Sequence, residues 1–458
     1  MGIVKPRLFV PIVFFVLTCG TAAMADEPEF RVGVARRDIT PEAGLPMWGY
    51  GARHAARAEG ALDPLLAKAL VIHAGDDKLA IVALDLGRGP TPAMMEQIRG
   101  QLRKRVGLEH VMICGSHTHH GPVIELTDRP GFGRGDYDDA VAYSRELPKL
   151  IVEAVVEADG NARPARFGVA TKDTMLNRNR QSRRSEKMID PQLAVMRFDD
   201  AGGKPIAVLV NFAAHAVMTD MAVLKYSADY PGYLQARVEE ELSVACLFIQ
   251  GAAGDLSVRT PDGIRGPEQY GQELARQAIE LARAIETKLP VRPSIRGKTQ
   301  RYHFASRVDF SNPLVSLAYQ QAFFPELIRN FVEEFRQGIT AETQTVVVCR
   351  QVALVGGSGE FFSGHARRLK ERSYLEHTLF FGYCNGHHLY FPTIEAASEG
   401  GYGADPVVSP VEIGAGERMM DDALIAIYQL TGKFPAAGAV SAPAESAQPP
   451  QSRADDDP

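Results

Sequence analysis

The chain is poor in several features that would assign it to a familiar protein class. Only five of its 458 residues are cysteine, and their wide spacing excludes a disulfide framework and a zinc ribbon. A net charge of −6 argues against nucleic acid as the main partner. The sequence has no internal repeat, and beyond its first 25 residues no run is apolar enough to span a bilayer. These absences favour an ordinary globular domain.

The four cysteines beyond the N-terminal segment lie in apolar surroundings. They are Cys114, Cys246, Cys349 and Cys384. We expect single buried thiols at these positions. One disulfide bond is the alternative if the protein folds in an oxidising compartment.

Residues 1–25 have the pattern of a cleaved export signal. Basic residues precede an apolar run over residues 8–17, and Ala23-Met24-Ala25 fits a small-residue cleavage site. An uncleaved membrane anchor is one alternative, although the run is short for a span. A lipoprotein modified at Cys19 is the other. We therefore expect a mature protein that begins at Asp26 and is periplasmic or secreted.

The rest of the chain is expected to form one α/β domain. Apolar runs that predict strands alternate with segments of helical periodicity, which favours a mixed β-sheet core covered by helices. This domain covers residues 26–433, and a disordered tail rich in Ala, Pro, Ser and Asp covers 434–458. The predicted strands cover residues 30–39, 67–72, 79–84, 111–114, 206–212, 245–250 and 346–355. The predicted helices cover residues 94–106, 147–158, 233–242, 272–289 and 419–430.

Residues 317–335 concentrate aromatic side chains. These are Tyr319, Phe323, Phe324, Phe331 and Phe335. A core helix or a pair of core helices explains the pattern. The alternative is an apolar wall for a lipid-like substrate.

The segment Ser-His-Thr-His-His-Gly-Pro over residues 116–122 carries the strongest chemical signal. It follows an apolar strand, and side chains two apart on an extended backbone share one face. His117 and His119 can therefore converge on one point, while His120 points away. Because imidazole is the commonest protein ligand for zinc, this pair predicts half of a catalytic metal site.

Three isolated residues are candidates for the rest of that site. His215 ends an apolar strand, Glu360 follows a glycine-rich turn, and Tyr390 lies further along. Taken singly, each has an ordinary structural explanation: a core histidine, a charge at a helix N-terminus or a packed aromatic residue. His387 and His388 lie just before Tyr390 and compete with it as ligands.

Ser257 follows a predicted strand and the glycine-rich stretch 250–256. Such a loop can present a hydroxyl group or backbone N–H groups to a substrate. The loop lacks the G-x-S-x-G sequence of serine hydrolases, so a serine in an ordinary turn is the alternative.

Together these blocks resemble the catalytic domain of the neutral/alkaline, non-lysosomal ceramidase family. They follow the order of that family from about residue 30 to about residue 405, and H-T-H followed by G-D-L-S is the most specific part. The blocks are residues 32–41 with Gly49-Tyr50-Gly51, then 116–119, Asn177-Arg178, 211–215, 254–257, 359–361, Tyr390 and Tyr402.

The resemblance implies a fold, an activity and a set of site residues. The implied activity is zinc-dependent cleavage of the N-acyl amide bond of ceramide-like lipids, giving a fatty acid and a sphingoid base. The implied zinc ligands are His117, His215, Glu360 and Tyr390. The residues implied to face the scissile amide are His119, Arg178 and Tyr402, and the proposed nucleophile of the family corresponds to Ser257.

The chain departs from the family pattern at two of these blocks. His120 stands where the family usually has a small residue, and Val258-Arg259 replaces a Pro-Asn pair after Ser257. We also expect no C-terminal β-sandwich of the kind that longer ceramidases carry. The altered block favours attack by zinc-activated water over attack by Ser257. In that mechanism His119 is the general base and then the general acid, and Arg178 with Tyr402 stabilises the oxyanion.

Three other interpretations remain open. A metal-dependent amidohydrolase barrel also uses H-x-H, but on its first strand, and no eightfold βα repeat is visible here. The second is a related exported zinc hydrolase that acts on a different amide or ester. The third is a non-catalytic binding protein. The expected partner is a lipid or another small amide, and transient contact with a membrane surface is compatible with it. The sequence does not indicate an oligomeric state.

Overall fold

The computed structural model describes residues 1–2 and 29–435. The predicted export signal beyond residue 2 and the predicted tail beyond residue 435 lie outside the described residues. Among the helices described, none combines the length and the apolar character needed to cross a membrane.

Strands and helices alternate along the described chain. The strands are β1 (Phe30–Asp38), β2 (Leu66–Ala74), β3 (Asp77–Leu84), β4 (His110–Gly115), β5 (Thr127–Pro130), β6 (Gly133–Arg134), β7 (Arg163–Asp173), β8 (Asn177–Asn179), β9 (Gln192–Asp200), β10 (Pro205–Phe212), β11 (Ala245–Gln250), β12 (Leu256–Val258), β13 (Ile295–Phe304), β14 (Ile339–Val348), β15 (Val352–Gly357), β16 (Glu360–Phe361), β17 (His377–Phe381) and β18 (Tyr390–Phe391). The helices are α1 (Pro92–Val106), α2 (Asp138–Gly160), α3 (Asp229–Leu242), α4 (Gly266–Ala284), α5 (Pro313–Ala322), α6 (Pro325–Arg336), α7 (Ser363–Arg372), α8 (Ile394–Glu399) and α9 (Ala415–Leu430).

Two mixed β-sheets form the centre of the molecule. The larger has eight strands in the order β11-β10-β9-β7-β1-β2-β3-β4, and the smaller has four in the order β13-β14-β15-β17. Parallel pairing joins β3 to β4, β10 to β11 and β15 to β17. Parallel neighbours need a crossover connection, and the helices α1, α3 and α7 supply it in these three units.

The apolar core is divided into layers. Inward-facing residues of the two sheets pack against each other in one cluster. On the outer face of the larger sheet, helices α1 and α2 cover β1–β4, and helices α3 and α4 cover β9–β11. Helices α7 and α9 cover the smaller sheet. The arrangement is therefore helix, sheet, sheet, helix, with one apolar layer between each pair.

The structure confirms the predicted α/β class with a mixed sheet covered by helices and adds the second sheet. One strand prediction is wrong, because residues 346–355 contain the end of β14, a turn and the start of β15. Cys349 and Arg350 have left-handed backbone conformations, with φ of 51° and 57°, and close this hairpin. Apolar residues on both sides of the turn made it resemble one continuous strand.

The aromatic segment forms the expected helix pair. Helix α5 begins with Pro313 and helix α6 with Pro325, and proline suits the first turn because the N–H it lacks would have no helical partner there. Phe323 and Phe324 connect the two helices.

Candidate functional site

The three crossover units bring three of the four predicted metal ligands to the same edge of the fold. His117 follows β4, His215 follows β10, and Glu360 follows β15. Each of these strands has a parallel neighbour, and loops at the carboxyl ends of parallel strands are the usual place for a binding site in α/β proteins. The topology therefore explains why residues so distant in sequence meet.

His117 and His119 converge, but not for the reason inferred from the sequence. Strand β4 ends at Gly115, and His117 has a left-handed backbone conformation with φ of 64°. The two imidazole rings lie 4.8 Å apart because of this turn and not because of strand alternation. His120 points away as predicted, and Arg53 Nη2 donates to its Nε2 at 2.5 Å.

His117, His215 and Glu360 form a buried cluster. Oε2 of Glu360 lies 3.3 Å from Nε2 of His117 and 3.2 Å from Nε2 of His215. Nδ1 of His117 donates to the carbonyl oxygen of Gly87 at 2.8 Å, and Nδ1 of His215 donates to that of Ala253 at 2.7 Å. Because a carbonyl oxygen only accepts, each ring carries a proton on Nδ1, and in its neutral form it presents a lone pair at Nε2.

This arrangement fits a metal cation. Two nitrogen lone pairs face one carboxylate oxygen, and that oxygen has no hydrogen-bond donor among the described residues. Burial, then Arg180 and His117, lower the pKa of His215 to about 3. Burial raises the pKa of Glu360, but the facing histidines outweigh it and hold this pKa well below its usual value. Neutral imidazoles and an ionised carboxylate are the forms that bind a divalent metal.

Tyr390 lies beside this cluster. Its ring is nearly parallel to that of His215, with centroids 6.5 Å apart. Arg180 joins the two residues, because its Nη2 donates to Nε2 of His215 at 2.8 Å and to the Tyr390 hydroxyl at 3.2 Å. Burial raises the pKa of Tyr390 well above its usual value, so its phenol is neutral in this environment.

The structure places the Arg178 side chain away from the cluster, and its catalytic role stays a prediction. Along strand β8 the flanking residues Asn177 and Asn179 are buried, whereas Arg178 is exposed and its Nε donates to the carbonyl oxygen of Val258 at 3.3 Å. Arg180 is the arginine that reaches the cluster. The sequence Asn-Arg-Asn-Arg over residues 177–180 contains the same pair twice, so the motif can be aligned in two ways.

Ser257 and Tyr402 lie further from the cluster. Ser257 is partly exposed in strand β12 and pairs directly with Arg178, and directly paired residues project to the same side of a sheet. The Tyr402 side chain is largely exposed, and its ring meets that of Tyr390 edge-on with centroids 5.6 Å apart. The catalytic roles of both residues stay predictions.

An apolar cavity of about 300 Å³ opens beside the cluster. His119, Glu360 and Tyr390 line one part of it. Aromatic and aliphatic side chains line the rest, among them Trp48, Tyr319, Phe323, Phe324, Leu327 and Phe331. The helix pair therefore belongs to the core and also forms an apolar wall of this cavity.

A second, larger cleft of about 1180 Å³ lies on the outer side of α5 and α6. None of the predicted ligands or catalytic residues lines it. Of these two, the smaller cavity is the one that adjoins the cluster, and it combines apolar walls with polar groups that converge there.

Sequence analysis missed some residues of the site or left their positions open. It treated His387 only as a competitor of Tyr390, yet Nε2 of His387 lies 3.2 Å from Oε1 of Glu360. Trp48 packs edge-on against the rings of His117, His119 and His387 at 5.3 to 5.5 Å. Trp48 is the single tryptophan of the chain and directly precedes the Gly-Tyr-Gly block. This position next to a family block could have identified it as a site residue.

Comparison with known proteins gives the family. The model of the neutral/alkaline non-lysosomal ceramidase N-terminal region matches residues 30–261. The chain belongs to this family. The matched region contains His117, His119 and His215, whereas Glu360 and Tyr390 lie beyond it.

Two named ceramidases share part of the sequence of this family member. It is 28% identical over 267 residues to the neutral ceramidase of Pseudomonas aeruginosa, a match that covers 53% of this chain and 39% of the relative. It is 25% identical over 186 residues to neutral ceramidase B of Dictyostelium discoideum, covering 34% of this chain and 24% of the relative. The chain therefore matches well under half the length of either relative.

The similarity in fold extends further than the similarity in sequence. The crystal structure of the Pseudomonas aeruginosa neutral ceramidase superposes with a TM-score of 0.71 at 20% identity, over 92% of this chain and 77% of that one. A ceramidase complexed with C2 gives a TM-score of 0.71 at 19% identity, over 92% and 78%. This ceramidase-family chain thus has the ceramidase fold well beyond the part that the family model matches.

Proposed function

We propose that this chain is an exported zinc-dependent amidohydrolase that cleaves the N-acyl amide bond of ceramide-like lipids. The products are a fatty acid and a sphingoid base. One observation carries the proposal: Glu360, in contact with His117 and His215 in the buried cluster, lines a cavity with apolar walls. A metal-binding group beside an apolar cavity suits a lipid with a polar bond to be cleaved. Membership of the ceramidase family supports the same reaction.

In this proposal the apolar walls bind a hydrocarbon chain of the substrate. Burying such a chain is favourable by about 0.8 kcal/mol per methylene group, and the cavity wall formed by α5 and α6 supplies the contacts. The amide group then lies at the end of the cavity where His119 and Glu360 are exposed to it. Apolar contacts would thereby position the scissile bond.

The proposed zinc ligands are His117, His215 and Glu360, with Tyr390 as the fourth residue next to them. When bound, zinc would polarise the amide carbonyl and lower the pKa of water. His119 is the proposed proton carrier. Its Nδ1 has no partner among the described residues, and burial lowers the pKa of His119 well below its usual value. A neutral His119 can first accept a proton from water and then donate it to the leaving amine.

Arg180 replaces Arg178 in the proposed catalytic set. Its guanidinium lies next to the cluster and contacts both His215 and Tyr390. The Tyr402 ring lies 5.8 Å from Arg180 Cζ. We assign Arg180 and Tyr402 to stabilisation of the oxyanion, where losing one donor costs about 10²- to 10³-fold in rate.

Direct attack by water remains the proposed route, with Ser257 outside the reaction. Ser257 does not belong to the described residues that line the cavity, and its altered sequence context supports the same choice. A lipid substrate also makes transient contact with a membrane or micelle surface part of the proposal.

The test is release of fatty acid from a fluorescent ceramide by the purified protein, before and after removal of metal with a chelator. We expect activity that the chelator abolishes and that added Zn²⁺ restores. The Glu360→Gln variant, purified in the same way, controls for contaminating hydrolases. If folded, zinc-loaded protein releases no fatty acid, ceramide is rejected. A panel of other N-acyl amides and esters then tests the remaining alternative.

A further inference from the structure

We infer that Cys114 and Cys384 form a disulfide bond when the protein folds under oxidising conditions. The two residues are far apart in sequence, yet they face each other as an antiparallel pair. Cys114 belongs to β4 and Cys384 to the loop after β17. Both are buried, at 0% and 1% exposure. The inference does not depend on the proposed function.

The backbone geometry around this pair suits a cross-strand disulfide. Gly115 N donates to Tyr383 O at 3.2 Å, and Asn385 N donates to Ile113 O at 2.8 Å. The hydrogen bonds thus flank the cysteines and do not join them, which defines a non-hydrogen-bonded pair. The Cα atoms of such a pair lie about 4.5 Å apart, within the range of roughly 4.4 to 6.8 Å seen in disulfides.

The thiols belong to the two segments that carry site residues. Cys114 precedes His117 by three residues, and Cys384 precedes His387 by three. The second segment is conformationally demanding, because Tyr383, Asn385 and Leu389 all have positive φ angles, from 54° to 59°. A covalent bond between Cys114 and Cys384 would hold this loop against the end of β4.

The reaction is a thiol–disulfide exchange with a small or protein disulfide as oxidant. The two cysteine thiols lose two protons and two electrons, one S–S bond forms between them, and the oxidant leaves as two thiols. Burial, then the neighbouring Cys384 thiol, raise the pKa of Cys114 well above its usual value. The thiolate needed for exchange is therefore scarce in the folded protein, so we expect the exchange to be faster during refolding than in the folded protein.

The test is refolding of the full chain in a glutathione redox buffer, followed by thiol counting under denaturing conditions. We expect two fewer reactive thiols than in the fully reduced protein. Non-reducing peptide mapping should join the peptides that contain Cys114 and Cys384, with Cys246 and Cys349 unlinked as internal controls. A full set of free thiols across all redox ratios, or a link through Cys246 or Cys349, would overturn the inference.

Thermal unfolding provides a second measurement. Closing a long loop stabilises the folded state relative to the unfolded one, so oxidation should raise the Tm by on the order of 5 °C. Cys349→Ser should keep this response and Cys384→Ser should lose it. An equal oxidation-dependent shift in Cys384→Ser would contradict the assigned pair.

A second inference concerns His387 and rests on the proposed metal site. We propose that His387 is a positioning residue for Glu360. The Glu360 carboxylate accepts only, so His387 donates Nε2–H to its Oε1 at 3.2 Å while Oε2 faces His117 and His215. A ligand carboxylate held by such a partner has a fixed orientation, and losing the partner typically weakens metal binding 10- to 100-fold.

The position of the ring supports this role. His387 is 3% exposed and stacks on Tyr383, with centroids 6.1 Å apart, while Trp48 contacts its edge. These contacts leave the ring little freedom to turn away from Glu360. The adjacent His388 instead interacts with Glu334, between Nδ1 and Oε1 at 2.5 Å, and offers a matched control.

The test is the zinc dissociation constant, measured by competition with a chromophoric chelator. His387→Ala should weaken zinc binding about 10- to 100-fold. His387→Gln keeps an N–H donor and should recover most of that loss, and His388→Gln should bind zinc like the wild type. Unchanged binding by His387→Ala would overturn the inference. Equal losses in both His387 variants, with an altered Co²⁺ absorption spectrum, would make His387 a direct ligand instead.

This measurement separates the inference from the proposed function. Zinc affinity is read without any substrate, so a protein that binds zinc but cleaves no ceramide leaves the role of His387 intact. A wild-type protein without zinc affinity would overturn both.

Discussion

Two backbone carbonyl oxygens determine the tautomers of His117 and His215. The oxygens of Gly87 and Ala253 accept from Nδ1, so in both neutral rings the lone pair is on Nε2, the nitrogen next to Glu360. Hydrogen bonds of this kind fix the tautomer and the orientation of a metal-binding imidazole. The metal-binding character of the cluster thus depends on the loops behind it as well as on the histidines.

Glu360→Gln should abolish tight metal binding. The substitution preserves the size of the side chain but removes the negative charge that offsets the cation, and we expect zinc affinity to fall by at least about 100-fold. Metal content after dialysis, measured by mass spectrometry, checks this. Glu333→Gln is the control, because Glu333 pairs with Arg129 at the surface. Full zinc occupancy in folded Glu360→Gln would contradict the assignment.

Arg180 and Arg178 provide a matched pair of variants. Arg180→Gln should lower kcat by about 10²- to 10³-fold, because it removes a donor from the polar end of the cavity. Arg178→Gln should stay within a few-fold of the wild type, since its side chain is exposed. Steady-state kinetics on fluorescent ceramide give both values. The reverse order of effects would restore the assignment made from the sequence.

Ser257→Ala should retain activity within about tenfold of the wild type. Direct attack by water needs no hydroxyl at this position, whereas a covalent mechanism loses its nucleophile. The measurement is kcat for a variant whose zinc content and unfolding temperature match those of the wild type. An inactive variant that meets both conditions would favour the covalent route.

Helices α5 and α6 separate the cavity from the outer surface. Phe323 and Phe331 line the cavity, whereas Leu314 and Leu317 on the same helix pair are 75% and 50% exposed. The pair thus has two apolar surfaces, and only one of them can contact a substrate inside the cavity.

Phe331→Ala should therefore discriminate between substrates of different chain length. Losing a large apolar contact of about 1.5 to 3 kcal/mol should lower kcat/KM for a long acyl chain by roughly 10- to 100-fold. A short-chain substrate that does not reach Phe331 should lose only a few-fold. Leu314→Ala controls for a general effect on the helices. Equal losses for both chain lengths would remove Phe331 from the substrate site.

The stability of the whole protein should depend on buried Asp85. Its Oδ2 accepts from Leu66 N and its Oδ1 from Gln235 Nε2, both at 3.0 Å. Burial raises the pKa of Asp85 from 3.8 to about 6. Between these pH values the folded state keeps a proton that the unfolded state has lost. The contribution of Asp85 to stability therefore falls as pH rises, by up to about 3 kcal/mol.

Asp85→Asn removes this pH dependence. Relative to the wild type, the free energy of unfolding of the variant should increase from pH 4 to pH 6 and then stay constant. Urea unfolding at several pH values between 4 and 7.5 checks this. Parallel stability curves for the two proteins would show that Asp85 has the same pKa folded and unfolded.

Some residues of the site could be predicted from the sequence and others could not, for physical reasons. His215 and Glu360 each follow a buried apolar strand, and such strands are visible as apolar runs. Edge strand β13 does not form an apolar run, because charged and polar residues interrupt it. Without this strand the second sheet could not be predicted. Strands β7, β9 and β17 were also missed.

Other features of the site depend on tertiary structure that a sequence pattern does not contain. Because the Asn-Arg pair occurs twice, the sequence alone does not distinguish Arg178 from Arg180. The difference lies in the direction in which each side chain points from β8 and the turn after it. The left-handed turn at His117 and the pairing of Cys114 with Cys384 likewise require the assembled fold. Individual ligands could be identified from local patterns, whereas their mutual geometry could not.

The proposed ligands come from both sheets, and this has a consequence for when a metal ion could bind. His117 and His215 follow strands of the larger sheet, and Glu360 follows one of the smaller. No partly folded chain that has formed only one sheet holds the complete donor set, so tight metal binding must wait until both are docked. A metal ion at this site would therefore bind tightly only where the chain completes its folding.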